Sequence, residues 1–223
     1  MEQYAEALKK CELFRQIDAM KLLVMLKCLG AQVRTVDKNQ IIFQEGDQAK
    51  YVGIVLSGSV QVVRDDYYGN RSIVANIEPA QLFAESFSCA NVEHLPISVV
   101  ASSDSEIMLI DCKRILTICS NTCEFHHQLV TNLLRVVSAK NLMLNQKIEF
   151  TSKRTTREKL MAYLMFQAKK NGSSSFTIPY DRQELADYLG VERSAMSAEL
   201  GKLRREGALE FKKNAFRLIS PLE

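Results

Sequence analysis

The chain has 223 residues, 47% of them hydrophobic and 25% charged, the make-up of a soluble globular protein with room for one large or two small domains. No apolar run reaches the roughly 18 residues of a membrane span. The opening Met1-Glu2-Gln3-Tyr4-Ala5-Glu6 is too acidic and polar for a signal peptide, so a cytoplasmic protein with no membrane partner is expected. The net charge of +3 is unevenly spread: residues 150–223 hold 14 Lys and Arg against 9 Asp and Glu, while residues 1–149 hold 15 against 17. A basic last third suits a nucleic-acid-binding module, and equally a set of solvated basic helices.

In chain order, residues 4–30 read as helical, with Leu8, Leu13, Leu22, Leu23, Leu26 and Leu29 as apolar faces and Gly30 as a C-cap. From Gln32 the pattern shortens. Ile41–Phe43, Tyr51–Leu56, Val60–Val63, Ser72–Ile77, Ile97–Ala101 and Glu106–Ile110 are β-rich runs. Turn signals such as Glu45-Gly46-Asp47, Ser57-Gly58-Ser59 and Tyr68-Gly69-Asn70 separate them. Short strands at this spacing predict an antiparallel barrel or roll.

Residues 124–149 form one long amphipathic segment. Val130, Leu134, Val137, Asn141, Leu144 and Ile148 alternate at spacings of four and three, a heptad seam with one polar interruption. A helix packed on its own domain would show the same spacing. The seam's length favours a dimer interface.

The last seventy residues are the most informative. Thr156–Lys169 reads as a helix, Asn171-Gly172-Ser173-Ser174-Ser175 as a loop, and Phe176–Pro179 as a short strand. Asp181 opens a helix with Glu184 three residues on, a capping-box spacing. Leu185, Ala186 and Leu189 give it a buried face, and Gly190 supplies the turn. A second helix from about Glu192 places Met196, Leu200 and Leu203 at i, i+4 and i+7. Ala186 lets the two helices cross closely and Gly190 admits a positive φ, so the pair has helix-turn-helix spacing, though a helical hairpin with a polar face would share it. The runs 208–211 and 216–219 flank Lys212-Lys213-Asn214 as a basic hairpin, the wing of a winged helix. Arg182, Gln183, Arg193, Ser194, Ser197, Lys202, Lys212 and Lys213 are the candidate DNA contacts. Arg193 can read guanine bidentately and the serines can donate or accept.

Over nearly its whole length the sequence resembles the Crp/Fnr regulators. The matching pieces are Gln44-Glu45-Gly46-Asp47-Gln48-Ala49, Val52 through Val60, Leu82-Phe83-Ala84-Glu85, Thr156-Arg157-Glu158-Lys159-Leu160 and Asp181 through Val191. The resemblance implies an α+β fold: an N-terminal antiparallel β-roll (a cupin-like jelly roll) with flanking helices over 1–123, a long dimerisation helix over 124–149, and a winged helix-turn-helix over 150–223. It implies a homodimer that binds double-stranded DNA at an inverted repeat, with RNA polymerase as a further partner and a small-molecule effector in the roll. The pocket would involve Ala84, Glu85, Ser86, Leu95 and Ser98, with Lys140 and Asn141 from the long helix. In cAMP-binding members a Gly-Glu pair opens the cassette, the Glu meets the ribose hydroxyl, and a later Arg pairs with the cyclic phosphate. Here Ala84 replaces the Gly, and Leu95-Pro96 stands at the Arg position. The effector is therefore expected not to be cAMP, and its identity is left open. Glu85 either binds a ligand hydroxyl or caps a short helix. Cys11 and Cys28 are too sparse for the iron–sulfur cluster of Fnr-type members. Ala198 and Ser194 depart from the Arg and Glu of several members, so a different operator is expected.

The cysteines at 11, 28, 89, 112, 119 and 123 are expected to be reduced thiols. Cys112, Cys119 and Cys123, with His126 and His127 beyond, allow an alternative in which the regulator senses redox state through thiols or a soft metal. They suit small buried hydrophobes as well, and no metal or other cofactor is assigned. A nucleotide-binding regulatory subunit without DNA binding is a remote alternative, opposed by residues 181–205. No phosphate-binding glycine loop or nucleophile motif is present, so no enzyme activity is expected.

Overall fold

The computed structural model describes residues 4–65, 67, 71–117 and 124–219. The chain divides into two compact units, Met1–Ala139 and Lys140–Glu223.

The first unit opens with helix α1 (Ala5–Lys10), a short 3-10 turn (Glu12–Phe14) and helix α2 (Ala19–Cys28). The expected single helical stretch is thus broken between Lys10 and Ala19, where Leu13 and Phe14 turn inward and are fully buried. Eight strands follow: β1 (Gln32–Val36), β2 (Ile41–Phe43), β3 (Tyr51–Ser57), β4 (Val60–Asp65), β5 (Arg71–Ile77), β6 (Leu82–Phe83), β7 (Ser98–Ala101) and β8 (Ser105–Asp111). They make two antiparallel four-stranded sheets, in the orders β1-β8-β3-β6 and β2-β7-β4-β5. The expected turn at 68–70 lies outside the described residues. β1 carries no clear alternation, since Val33 and Val36 are its only apolar residues, and it went unread in the sequence.

The two sheets differ in a way the sequence encodes. Val55, Phe83, Ile107 and Leu109 of the first sheet meet Phe43, Val60, Val62, Val99 and Ala101 of the second in one apolar interior. The other face of the first sheet, with Val52, Ile54, Leu56, Met108 and Ile110, packs on Leu8, Leu13, Leu22, Leu26, Leu29, Leu129 and Leu133 of the helices. A sheet covered on both faces needs nearly continuous apolar strands, hence Val-Gly-Ile-Val-Leu at 52–56 and Ile-Met-Leu-Ile at 107–110. β7, covered on one face, alternates buried and half-buried positions instead. Gly53 has a specific reason. A Cβ placed there would lie 2.0 Å from the Phe83 ring, so only glycine lets the strand pass over that ring.

Two short helices, α3 (Glu85–Cys89) and α4 (Cys112–Leu116), complete the roll before the long helix α5 (Glu124–Thr151). The start of α5 is fixed by polar contacts inside the first unit. Asn132 is buried, and its Nδ2 donates to the carbonyls of Leu13 and Arg15 at 3.0 and 2.7 Å. His126 Nε2 lies 2.7 Å from the Ile115 carbonyl. Leu129 and Leu133 are buried beside them, with Val136 and Val137 packed on the same core.

The second unit holds helix α6 (Thr156–Asn171), strand β9 (Ser175–Thr177), helices α7 (Arg182–Leu189) and α8 (Arg193–Arg205), and strands β10 (Leu209–Lys212) and β11 (Ala215–Leu218), paired β10-β11-β9. Its core gathers Phe150, Leu160, Tyr163, Leu164, Leu185, Ala186, Leu189, Met196, Leu200, Leu203, Leu209 and Phe216. α6 begins with a capping box. Thr155 Oγ1 accepts from the Glu158 N–H, and the Glu158 carboxylate accepts from the Thr155 N–H. The Thr155-x-x-Glu158 spacing is visible in the sequence, yet only the box at Asp181 was read there.

Candidate DNA-binding and effector sites

The helix-turn-helix is built from local signals. Asp181 accepts from the Glu184 N–H at 2.9 Å, and Glu184 accepts from the Asp181 N–H at 2.8 Å, closing the start of α7. Gly190 ends it at φ +60°, returning its N–H to the last turn of α7. Ala186 is fully buried between the helices, and Met196, Leu200 and Leu203 bury the inner face of α8. The outer face at its start, Arg193, Ser194, Ser197 and Ala198, is exposed. Ser194 Oγ donates to Glu192 at 3.0 Å, and among the described residues Arg193 forms no ion pair.

Several neighbours serve to hold α8 in place. Arg157 on α6 bridges Glu199 at 3.4 Å and grips Glu206 with two guanidinium nitrogens, which holds the Glu206 carboxyl below its usual range. Lys159 Nζ donates to the Gly190 carbonyl at 3.3 Å, placing a cation at the C-terminal end of α7. Neither role was read from the sequence, because each partner lies more than thirty residues away.

The candidate DNA contacts fall into two groups. Gln183, Arg193, Ser194, Ser197, Lys202, Lys212 and Lys213 are exposed, with Lys212 and Lys213 at the wing tip. Lys202 pairs with Glu199 at 3.2 Å and Gln183 donates to Asp187 at 2.9 Å. Arg182 is different. Its guanidinium lies 4.8 and 5.0 Å from the Phe211 and Phe216 ring centres, and it donates to the Lys213 carbonyl at 2.8 Å. Partial burial lowers its pKa. Arg182 braces the wing from inside.

In the roll, Ala84 sits at φ +61° as the residue before α3, in the left-handed region that favours glycine. Glu85 begins α3 and is only 2% exposed. Ser86 is exposed, with its hydroxyl 3.4 Å from the Glu85 carboxylate. Leu95 is also 2% exposed and lies in the interior cluster with Phe43, Phe83, Ala84 and Ile97. Backbone bonds to Gly46 and Asp47 at 2.9 and 2.8 Å fix it there. Ser98 Oγ accepts from the Glu45 N–H at 3.0 Å. Ala84 and Leu95 thus belong to the same apolar cluster. A cyclic phosphate needs a cation or several donors once it leaves water. Lys140 and Asn141 stand on the part of α5 that belongs to the second unit.

Of the seam residues, Leu134, Leu144 and Ile148 are 60–66% exposed, and beside them Leu142 and Met143 are 69% exposed. Asn141 is exposed and Val130 half-buried. Val137 departs from the expectation, since it packs on the chain's own core. Of the three cysteines weighed as a sensor, Cys119 and Cys123 lie outside the described residues. Cys112 is buried and meets Cys89 instead, sulfur to sulfur at 3.5 Å. Among the described residues no group of three His, Cys, Asp or Glu side chains is placed to hold a metal, and no helix is long and apolar enough to cross a membrane.

A β-roll of the cyclic-nucleotide-binding type in one unit and a winged helix-turn-helix in the other define a DNA-binding regulator of transcription. Residues 33–122 match the cyclic nucleotide-binding domain, and residues 158–221 match the Crp-like helix-turn-helix domain. The chain belongs to the Crp/Fnr family of transcriptional regulators. It is 23% identical to the transcriptional activator protein FnrA of Stutzerimonas stutzeri, over 85% of this chain and 77% of that protein. It is 26% identical to the cyclic AMP receptor protein of Thermus thermophilus, over 80% and 79%. The structure of FixK2 from Bradyrhizobium japonicum shares the fold, with a TM-score of 0.52 at 19% identity, covering 85% of this chain and 93% of that one. The relatives are regulators of transcription, not enzymes.

Proposed function

We propose that the protein is a homodimeric, cytoplasmic regulator that binds an inverted repeat in double-stranded DNA and answers to an effector other than cAMP. The observation that carries the DNA reading is the exposed start of α8, where Arg193, Ser194 and Ser197 share one surface above a buried apolar face. A two-fold dimer presents two such helices, so its half-sites are centred about one helical turn apart. Lys202, Lys212 and Lys213 supply phosphate contacts, and RNA polymerase is the further partner that the resemblance implies. The dimer reading rests on the exposed apolar side chains of α5 from Leu134 to Ile148.

The effector reading rests on Leu95. Although one relative is named a cyclic AMP receptor protein, this chain buries Leu95, the residue that the resemblance aligns with that ligand's cation. A less anionic or more apolar molecule is the better match, with Glu85, Ser86 and Ser98 as its polar contacts. Two measurements test the reading. A gel-shift selection from random DNA should return an inverted repeat, and equal affinity for scrambled DNA refutes specific recognition. In calorimetry, saturable cAMP binding at or below about 10 μM refutes the effector reading and leaves the DNA reading standing.

A further inference from the structure

Cys89 ends α3 and Cys112 begins α4. Twenty-three residues separate them in sequence, yet their sulfurs lie 3.5 Å apart. A disulfide needs about 2.05 Å between sulfurs, so the remaining approach is about 1.5 Å. The two thiols differ in access. Cys112 is 2% exposed and packed into the helix-side core, while Cys89 is half-buried at its edge. Among the described residues this is the one thiol–thiol contact at hydrogen-bond distance; Cys28 is exposed and Cys11 is buried.

We propose that Cys89 and Cys112 are a site of reversible oxidation, closed to a disulfide by hydroperoxides. Cys89 is the attacking sulfur and Cys112 the resolving one. The Cys89 thiolate attacks one oxygen of hydrogen peroxide. The O–O bond breaks, Cys89 becomes a sulfenic acid, and the departing hydroxide takes a proton to leave as water. The Cys112 sulfur then attacks the Cys89 sulfur. The S–S bond forms, the S–O bond breaks, and the second hydroxide carries off the Cys112 proton as water. Two thiols lose two electrons, and one peroxide is reduced to two waters.

The local electrostatics agree with that order. Hydrogen bonding with Cys112 lowers the Cys89 pKa against the opposing effects of burial and of the nearby Glu85. The same contact, with burial, raises that of Cys112. Cys11, by contrast, is pushed up to about 11 by burial and stays protonated and unreactive. Oxidation would fasten the last residue of α3 to the first residue of α4. α3 also carries Glu85 and Ser86, so the bond would stiffen the segment that the effector reading uses. The oxidation itself does not depend on that reading.

The test uses the full-length protein. After treatment with hydrogen peroxide and alkylation, non-reducing proteolytic mapping should recover a peptide containing Cys89 joined to one containing Cys112, two hydrogens lighter than the sum of the separate thiol peptides. Dithiothreitol should restore both thiols. In Cys112→Ser, Cys89 should stop at the sulfenic acid and capture dimedone several-fold more than the wild type does. Recovery of Cys89 and Cys112 as alkylated thiols under conditions that oxidise the exposed Cys28 overturns the proposal. So does a map in which Cys112 is joined to Cys119 or Cys123. The wild-type map decides between these outcomes even if a variant fails to fold.

Discussion

The two units of this protein keep their functional residues on opposite sides of their surfaces. In the roll the cassette faces inward, and Ala84 and Leu95 belong to an apolar interior. In the helix-turn-helix unit the candidate reading residues face outward, and Arg193, Ser194 and Ser197 are exposed. An inward site must satisfy packing and ligand at once, so on the proposed reading a change of ligand chemistry would appear in the core, as Leu95. An outward site need only satisfy its partner, so the scaffold beneath it (Ala186, Met196, Leu200) can stay constant while the surface varies. α5 combines both kinds of face. Its start is buried on the roll through Leu129, Asn132 and Leu133, and its later turns expose leucine, methionine and isoleucine.

The largest expected effect tests the outward apolar face of α5. Leu144→Asp with Ile148→Asp should weaken self-association by about several kcal/mol, because two carboxylates would be buried without partners. Sedimentation equilibrium reads this directly. Both side chains are exposed within one chain, so the thermal midpoint of the monomer should hold. Wild-type protein that is monomeric at micromolar concentration breaks the comparison at this point.

Gly53→Ala tests the inward region. Its methyl group would overlap the Phe83 ring, and overpacking of a filled core costs about 1–3 kcal/mol. Urea denaturation should show a lower midpoint, and an unchanged one would mean that the roll yields more easily than close packing allows. Arg193→Ala tests the outward region. Affinity for the selected site should fall by about 1–3 kcal/mol, with relaxed preference at one base pair per half-site, while thermal stability should be unchanged because the side chain is exposed. Loss of stability would show that Arg193 belongs to the scaffold. Lys212→Ala should have the smallest effect. It should weaken specific and scrambled DNA alike and reduce the slope of log affinity against log salt by about one. A sequence-dependent loss would move Lys212 from phosphate to base contact.

What the sequence determined by itself was whatever repeats over a few residues. Ile107 through Ile110 and Val52 through Leu56 declared buried strands, Asp181 with Glu184 declared a helix start, and Gly190 declared a turn, because each signal and its structural consequence lie within one turn or one strand. The order of these pieces was enough to suggest the family. Tertiary structure alone decided what depends on distant partners. Arg182 reads as a DNA contact until the wing folds back and places Phe211 and Phe216 under its guanidinium. Val137 fits a heptad seam, yet it packs on the roll's own core, one turn after the buried Leu133 on the same helix face. Cys112 was grouped with the cysteines nearest in sequence, whereas strand pairing in the roll carries it to Cys89. Periodicity records which way a side chain points relative to its neighbours along the chain. It holds no record of which remote segment the closing sheet brings against it, and that contact sets whether a cation is free to bind, a valine can reach a partner, or two thiols can meet.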